Sequence, residues 1–329
     1  MKKAFLILSI VFLSALLLEI ILRLTGHKPW KTFGNKQQSI YHYDLHLGWK
    51  SKMGKYLIPS SENLNKTNIL TIEKSGNRTT GIVDKKNKKK IIFIGGSFTQ
   101  GAGVSDNETY SYKIQKKKSN SKVYNFGQSG YGGIQSLLLL EKQIKKIKHP
   151  DIIVYGFIEH HLQRNVARSE WMEILLKASN QSSKLKPSLP YGIIDKNNNL
   201  KIMPLTSYLT LPLREHSALV TILEKIYMKQ TTRHRKKHQF SVFKETIIKM
   251  NKIAQINKSK FFFVNLDLNN KKSDKNFRKI SNDTKIPYLD CRVPDFNKYK
   301  LIQEWHPNAL GHTHYNNCIA DFIEKNSLL

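Results

Sequence analysis

Apolar positions in this chain follow two rhythms. Short β-branched or aromatic runs read as strands: "KIIFIG" (90–95), "KVYNFG" (122–127), "DIIVYGF" (151–157), "FFFVNLDL" (261–268) and "IPYLD" (286–290). Their apolar residues are nearly continuous, as expected of parallel strands covered on both faces. Between them the period changes. "IQSLLLLEKQIKKIK" (134–148) places Ile134, Leu137, Leu138, Ile144 and Ile147 at helical spacing, and "SVFKETIIKMNKIAQI" (241–256) and "NALGHTHYNNCIADFIEKN" (308–326) read as helices too. The alternation predicts an α/β fold, a three-layer α/β/α sandwich with a mainly parallel sheet. Over residues 168 to 240 the order loosens into a hairpin (191–203), a helix near 215–229 and a basic run at 233–238, which reads as an insertion.

The first residues break from both rhythms. "MKKAFLILSIVFLSALLLEIILRL" runs from Ala4 to Leu22 with Glu19 as its one charged residue. At about 1.5 Å per residue that run comes close to the hydrocarbon thickness of a bilayer. A cleavable signal peptide has a shorter apolar centre and a small-x-small site, and no convincing site is present, so residues 1–25 read as a signal anchor that inserts residues 4–22. Glu19 and Arg23, four apart, can pair near the interface. Lys2 and Lys3 on one flank face Arg23, Lys28, Lys31 and Lys36 on the other, so the count of positive charges does not decide orientation. The N-terminal position favours an extracytoplasmic C-terminal part, periplasmic or on the outer face. Residues 26–88 form a polar, aromatic-dotted stem and lead-in, and 89–329 the α/β domain.

Charge adds one constraint. Among 329 residues, 55 Lys and Arg stand against 24 Asp and Glu, a formal net charge of +31. Such a chain can meet nucleic acid, anionic headgroups or an acidic polymer. The lysines, however, are scattered at 85–90, 116–118, 233–237 and 271–272, with no interleaved aromatics and no nucleic-acid-binding signature. They read as a solvated basic surface, without a specific nucleic-acid partner. Cys291 and Cys318 can pair in an oxidising compartment and are two buried thiols elsewhere. No Cys/His grouping has metal spacing, and no cofactor is expected.

The candidate chemistry begins at "FIGGSFTQGAG" (93–103), where a strand ends in two glycines and Ser97. In open α/β sheets ligands gather at the carboxyl ends of strands. Gly96 and Gly101 have the spacing of a phosphate-binding loop, but Ala102-Gly103 replaces the Lys-Ser/Thr that phosphate and metal require. The dinucleotide pattern fails as well. Near the other end stands "QEWHPNALGH" (303–312), where Pro307 and Asn308 suit a helix start and hold His306 on the preceding loop. A serine after the first strand and a histidine at the last loop can act as nucleophile and base across one sheet edge.

These residues carry a resemblance to the SGNH/GDSL hydrolases, serine esterases and acyltransferases with a three-layer α/β/α fold. "FIGGSFTQGAGV" is similar to the family's first block, "YNFGQSGYGGIQ" (124–135) to its second, "PDIIVYGFIEHHLQRN" (150–165) stands at its third and "EWHPNALGH" resembles its last. "YDLHLGWKSKMGKY" (43–56) and "SGNRTTG" (75–81) look like the lead-in of membrane-anchored bacterial members. The resemblance implies Ser97 as nucleophile, His306 as general base, and the N–H groups of Ser97 and Gly130 as oxyanion donors. Two departures stand out. Three residues before the histidine, where the family usually has Asp, stands Gln303; two before stands Glu304, which becomes the orienting acid, with Asp290 and Asp295 next in line. In the third block His160 occupies the place of the Asn that completes the oxyanion hole and His161 the place of a frequent Asp, with Asn165 a weaker candidate donor. The implied function is a membrane-anchored serine esterase or O-acyltransferase acting on acyl, chiefly acetyl, esters of a surface glycan. The alternatives are a degenerate member that binds glycan or protein without turnover, and a basic membrane-surface or nucleic-acid binder.

Overall fold

The computed structural model describes residues 2–31, 40–62, 65–81, 89–178, 186–268, 274–302 and 304–329. Lys36, residues 85–88 of the first lysine run, the pair at 271–272 and Gln303 lie outside the described residues. A long helix, α1 (Lys2–Leu24), opens the chain; it is long and apolar enough to cross a membrane, and none of it is buried in the protein. Two antiparallel hairpins follow, β1 (Tyr41–Asp44) with β2 (Gly48–Ser51) and β3 (Gly54–Pro59) with β4 (Thr67–Ile72). The "stem" is therefore folded structure over much of its length. Its polar, interrupted pattern hid four short strands.

The α/β part runs β5 (Lys89–Gly95), α2 (Ser97–Gln100), α3 (Tyr110–Lys117), β6 (Ser121–Gly127), α4 (Gly133–Ile147), β7 (Ile152–Phe157), α5 (His160–Asn165) and α6 (Ser169–Ala178). The hairpin β8 (Ser188–Ile194) and β9 (Leu200–Ser207) precedes α7 (Ala218–Arg233) and α8 (Gln239–Ile256). The chain closes with β10 (Lys260–Asn265), α9 (Asp274–Thr284), β11 (Tyr288–Asp290), α10 (Phe296–Tyr299) and α11 (Ala309–Lys325).

Five strands form one sheet in the order β11-β10-β7-β5-β6, every pairing parallel. The first strand thus lies between the second and third, the doubly wound order whose direction reverses between β5 and β7. Alternation within each strand sends apolar side chains to both faces. Ile92, Ile94, Ile153 and Phe263 join α4 and α8 through Leu137, Leu140, Phe243 and Ile247. Ile91, Phe93, Val154 and Phe262 join α3 and α11 through Tyr110, Ile114, Tyr315 and Ile319. This is the three-layer sandwich, and the double coverage explains the continuous apolar runs. Cys291, just after edge strand β11, is disulfide-bonded to Cys318 on α11. The bond closes a span of 27 residues, a constraint worth about 3 kcal/mol.

Candidate functional site

Ser97 opens α2 directly after β5, at the point where strand order reverses, and is only 4% exposed. Gly96 precedes it in an extended conformation, so the first N–H groups of α2 have no helical partners. At the other end of this four-residue helix, Gly101 takes the left-handed conformation (φ 86°) that lets the chain turn away at once. A buried arginine from the lead-in closes that end. Arg78 Nε donates to Asp106 Oδ1 at 2.7 Å, Nη1 to the carbonyls of Gln100 and Gly101, and Nη2 to those of Ile69 and Val104. All five guanidinium N–H groups are used, and two of them bind the carbonyl end of the helix that Ser97 begins. The sequence pointed to "SGNRTTG" only as a block; this role for Arg78 was missed. A charged residue between glycine and threonines, just ahead of the first strand of the sheet, was the available signal.

The second block reaches the same place. Gln100 Oε1 accepts from the Ser129 N–H (3.1 Å) and hydroxyl, and Gln100 Nε2 donates to Ser51 Oγ of β2 at 3.3 Å. Next along the chain, Gly130 has φ +85°, and a Cβ there would stand 2.9 Å from Trp49 Cζ2. Only glycine fits that turn without strain. Trp49 is itself fixed through Nε1 to the Ser129 carbonyl at 3.0 Å. The turns that carry Ser97 and Gly130 are thus tied into one network.

His306 comes from the far end of the chain. Its loop is held by the Leu301 N–H donating to the His306 carbonyl (2.8 Å) and by Asn308, whose Nδ2 donates to the carbonyls of Lys298 and Lys300 at 3.0 and 3.1 Å. Asn308 Oδ1 accepts from the Gly311 N–H and caps α11. The imidazole packs against Phe98, the residue after Ser97, with ring centroids 5.7 Å apart. Its Nδ1 lies 3.0 Å from Glu304 Oε2, which leaves Nε2 as the nitrogen open to a proton from elsewhere. The hydrogen bond with His306, aided by its charge and opposed by burial, holds the Glu304 carboxyl below its ordinary range. Among the described residues no hydrogen bond joins Ser97 Oγ to His306. The two reserve acids are engaged elsewhere: Asp290 accepts from Arg292 Nε at 2.8 Å, and Asp295 caps α10. His312 is also occupied. It is buried against Tyr110 and depressed by that burial to about 3.

The third block divides its two histidines. His160, the first residue of α5, is exposed and lines an open cavity of about 390 Å³ with Glu159, Arg168 and Asp267. Partial desolvation against the cavity wall holds its imidazole below the ordinary range even though the residue is open to solvent, with the Arg164 charge adding to the effect. Burial raises the Asp267 carboxyl to about 7, although its Oδ2 accepts from the Glu159 N–H at 2.7 Å. His161 is buried, with Nδ1 2.7 Å from the Tyr155 hydroxyl. A Cβ on Gly96 would meet His161 Nε2 at 2.6 Å, so this imidazole lies against the backbone just before Ser97. Asn165 is fully buried: its Oδ1 accepts from the N–H groups of Gly133 and Ile134 at the start of α4, while its Nδ2 has no hydrogen-bond partner among the described residues.

No family model matches the chain, and no curated protein matches it. Solved structures do. A lipolytic protein of the GDSL family from Veillonella parvula aligns over 71% of this chain and 97% of its own, at 11% identity and a TM-score of 0.40. A psychrotrophic esterase from Pseudoalteromonas sp. covers 72% of this chain and 100% of its own, at 11% identity and a TM-score of 0.39. An acetyl xylan esterase from Geobacillus stearothermophilus covers 71% and 94%, at 12% identity and a TM-score of 0.37. At such identities the likeness concerns the fold, and the chemistry of the site is read from its own residues. The chain is similar to GDSL-type lipolytic proteins and esterases, and Ser129, His161 and His306 each contact a neighbour of Ser97, respectively Gln100, Gly96 and Phe98.

Proposed function

We propose that the protein is a membrane-anchored serine esterase or O-acyltransferase of the SGNH/GDSL type, acting on acyl, chiefly acetyl, esters of a cell-surface glycan. The observation that carries this reading is the His306–Glu304 pair, seated on Phe98 beside Ser97 although more than two hundred positions separate them. In the reaction Ser97 Oγ attacks the ester carbonyl and passes its proton to His306 Nε2. Glu304 holds the imidazolium that forms. The carbonyl oxygen, now negative, meets the N–H groups of Ser97 and Gly130, with His160 as third donor; each such preorganised donor is worth about 10²–10³ in rate. His306 then returns the proton to the departing alcohol, and the acyl group stays on Ser97. Water or a sugar hydroxyl, deprotonated by His306, takes the acyl group and restores the serine. The basic surface suits an anionic polymer. In this reading α1 is retained in the membrane, and the Cys291–Cys318 bond suits an oxidising compartment outside the cytosol.

A second reading has a specific observation behind it. The serine and histidine are not hydrogen-bonded to each other, and a histidine stands where the family has Asn, which suits a glycan- or protein-binding module without turnover. Catalytic hydrogen bonds often tighten only with substrate bound, so the enzyme reading is preferred. A fluorophosphonate probe separates the two. The full chain in detergent takes the label and Ser97→Ala does not, while both melt alike. Folded wild-type protein that stays unlabelled overturns the enzyme reading.

A further inference from the structure

The insertion over 168–240 takes no part in the chemistry above, yet it makes the tightest contacts with α1. Glu19, the one acid in the apolar helix, accepts from Ser217 Oγ (2.8 Å) and from the N–H groups of Ala218 (2.9 Å) and Leu219 (2.8 Å). It therefore caps α7 together with Ser217, whose Oγ accepts from the Val220 N–H at 3.1 Å. Arg23 pairs with Glu19 at 2.6 Å and donates to the His216 carbonyl. A few residues on, Trp30 is buried. Its N–H donates to the Arg214 carbonyl at 2.9 Å, and the Arg214 guanidinium lies 3.6 Å from its ring centroid. The end of α1 is bolted to α7.

The outer face of α7 begins at the same point. Leu223, Ile226 and Tyr227 follow Leu219 at the i+4, i+7 and i+8 positions, and each is about half exposed (49–53%). Leu213, in the turn before α7, is exposed as well. At about 1.5 Å per residue, these side chains fall within one to two turns, roughly 6–12 Å, of the Glu19 contact. The inner face (Ala218, Thr221, Glu224, Met228 and Thr232) is buried in the domain. Residues 209–238 hold seven Lys and Arg against two Glu. One of those acids, Glu224, is paired with Arg214 at 3.1 Å; the other, Glu215, is exposed. Lys229 and Arg233 flank the apolar stripe, and Lys236 and Lys237 follow it.

An apolar stripe with an aromatic and a basic flank is the pattern of a helix lying in a membrane interface. We infer that α7 and the turn before it lie on the anionic surface of the bilayer that α1 enters, and that the Glu19 clamp fixes the domain's orientation there. The inference rests on the reading of α1 as a retained anchor, and it assigns the insertion its role. Binding draws on burial of the four exposed apolar side chains and on attraction of the basic flank to anionic headgroups.

The test uses the full chain with an environment-sensitive dye on Leu223→Cys, or on Lys252→Cys of α8 as control. Each is reconstituted into vesicles of phosphatidylcholine with or without phosphatidylglycerol, carrying brominated acyl chains. The Leu223→Cys dye is quenched about twofold or more, more strongly with the anionic lipid, whereas the control is not. Glu19→Ala weakens the quenching at position 223 while the protein still floats with the vesicles. Equal quenching at both positions in protein that floats overturns the docking and leaves the anchor standing. Protein that fails to float, with residues 1–25 missing, overturns both.

Discussion

The two halves of the candidate site are built by opposite means. Ser97 is set in the middle of the molecule, after a central strand and at the start of a helix whose far end takes two of the five hydrogen bonds that Arg78 makes. His306 and Glu304 sit on a surface loop, held by the Asn308 staple, beside a Trp305 that is 77% exposed. The position of Ser97 is a property of the core, and that of His306 is a property of one loop. Loss of what holds Ser97 therefore acts through stability, whereas loss of what holds His306 acts on turnover in a protein that remains folded.

The severest break in that contrast comes from the buried half. Arg78→Met leaves Asp106 unpaired, and loss of one partner of a buried pair costs about 3–5 kcal/mol. Chemical denaturation measures it, and a loss under about 1 kcal/mol would mean that Arg78 does not hold the turn. Asn308→Ala comes next. It removes a helix cap and two bonds to the loop, at about 1–2 kcal/mol. The expected signature is a fall in kcat on a small ester that exceeds what the lost stability explains, with fluorophosphonate labelling slowed. Unchanged kcat would show that the loop needs no staple.

Glu304→Gln has the smallest effect on folding, below about 1 kcal/mol, because the pair is partly exposed. It lowers turnover less than Ser97→Ala does. Its pH dependence has a definite sign. The folded-state carboxyl titrates below the ordinary 4.5, so the pair's stabilisation is present above that value. It is lost as the pH falls through the folded value. Melting temperatures of wild type and Glu304→Gln converge in that acid range and differ above it; a difference that grows toward acid pH would refute the pairing.

Much of this division is visible in the sequence, and the exceptions have physical reasons. The strands of the sheet stand out because both faces are buried, so β5, β7 and β10 read as apolar runs that no helix of that length requires. Ser97 and Gly130 are legible from their glycine-rich turns, since local backbone geometry writes itself into local sequence. The four strands between 41 and 72 are not legible. Each is short, half-solvated and mixed in pattern; β2 is held by Gln100, Ser129 and the Gln128 side chain, which accepts from Ser51, and β4 by Ser105 and Asp106, all distant in the chain. The Asn165 oxygen is likewise tied to a helix start thirty-two positions upstream, a contact that no local pattern announces. His160 and His161 are adjacent, and only the fold puts one in an open cavity and the other behind Gly96.

Arg78 also sets where the protein can be shortened. The counter-charge for Asp106 and the bonds that shut the far end of the helix begun by Ser97 come from a residue upstream of the first strand of the sheet. A version trimmed to the apparent α/β unit, beginning near residue 89, loses both at once and strands an acid in the interior. The smallest piece that keeps Ser97 in place has to start ahead of β3, with the paired hairpin that delivers the guanidinium.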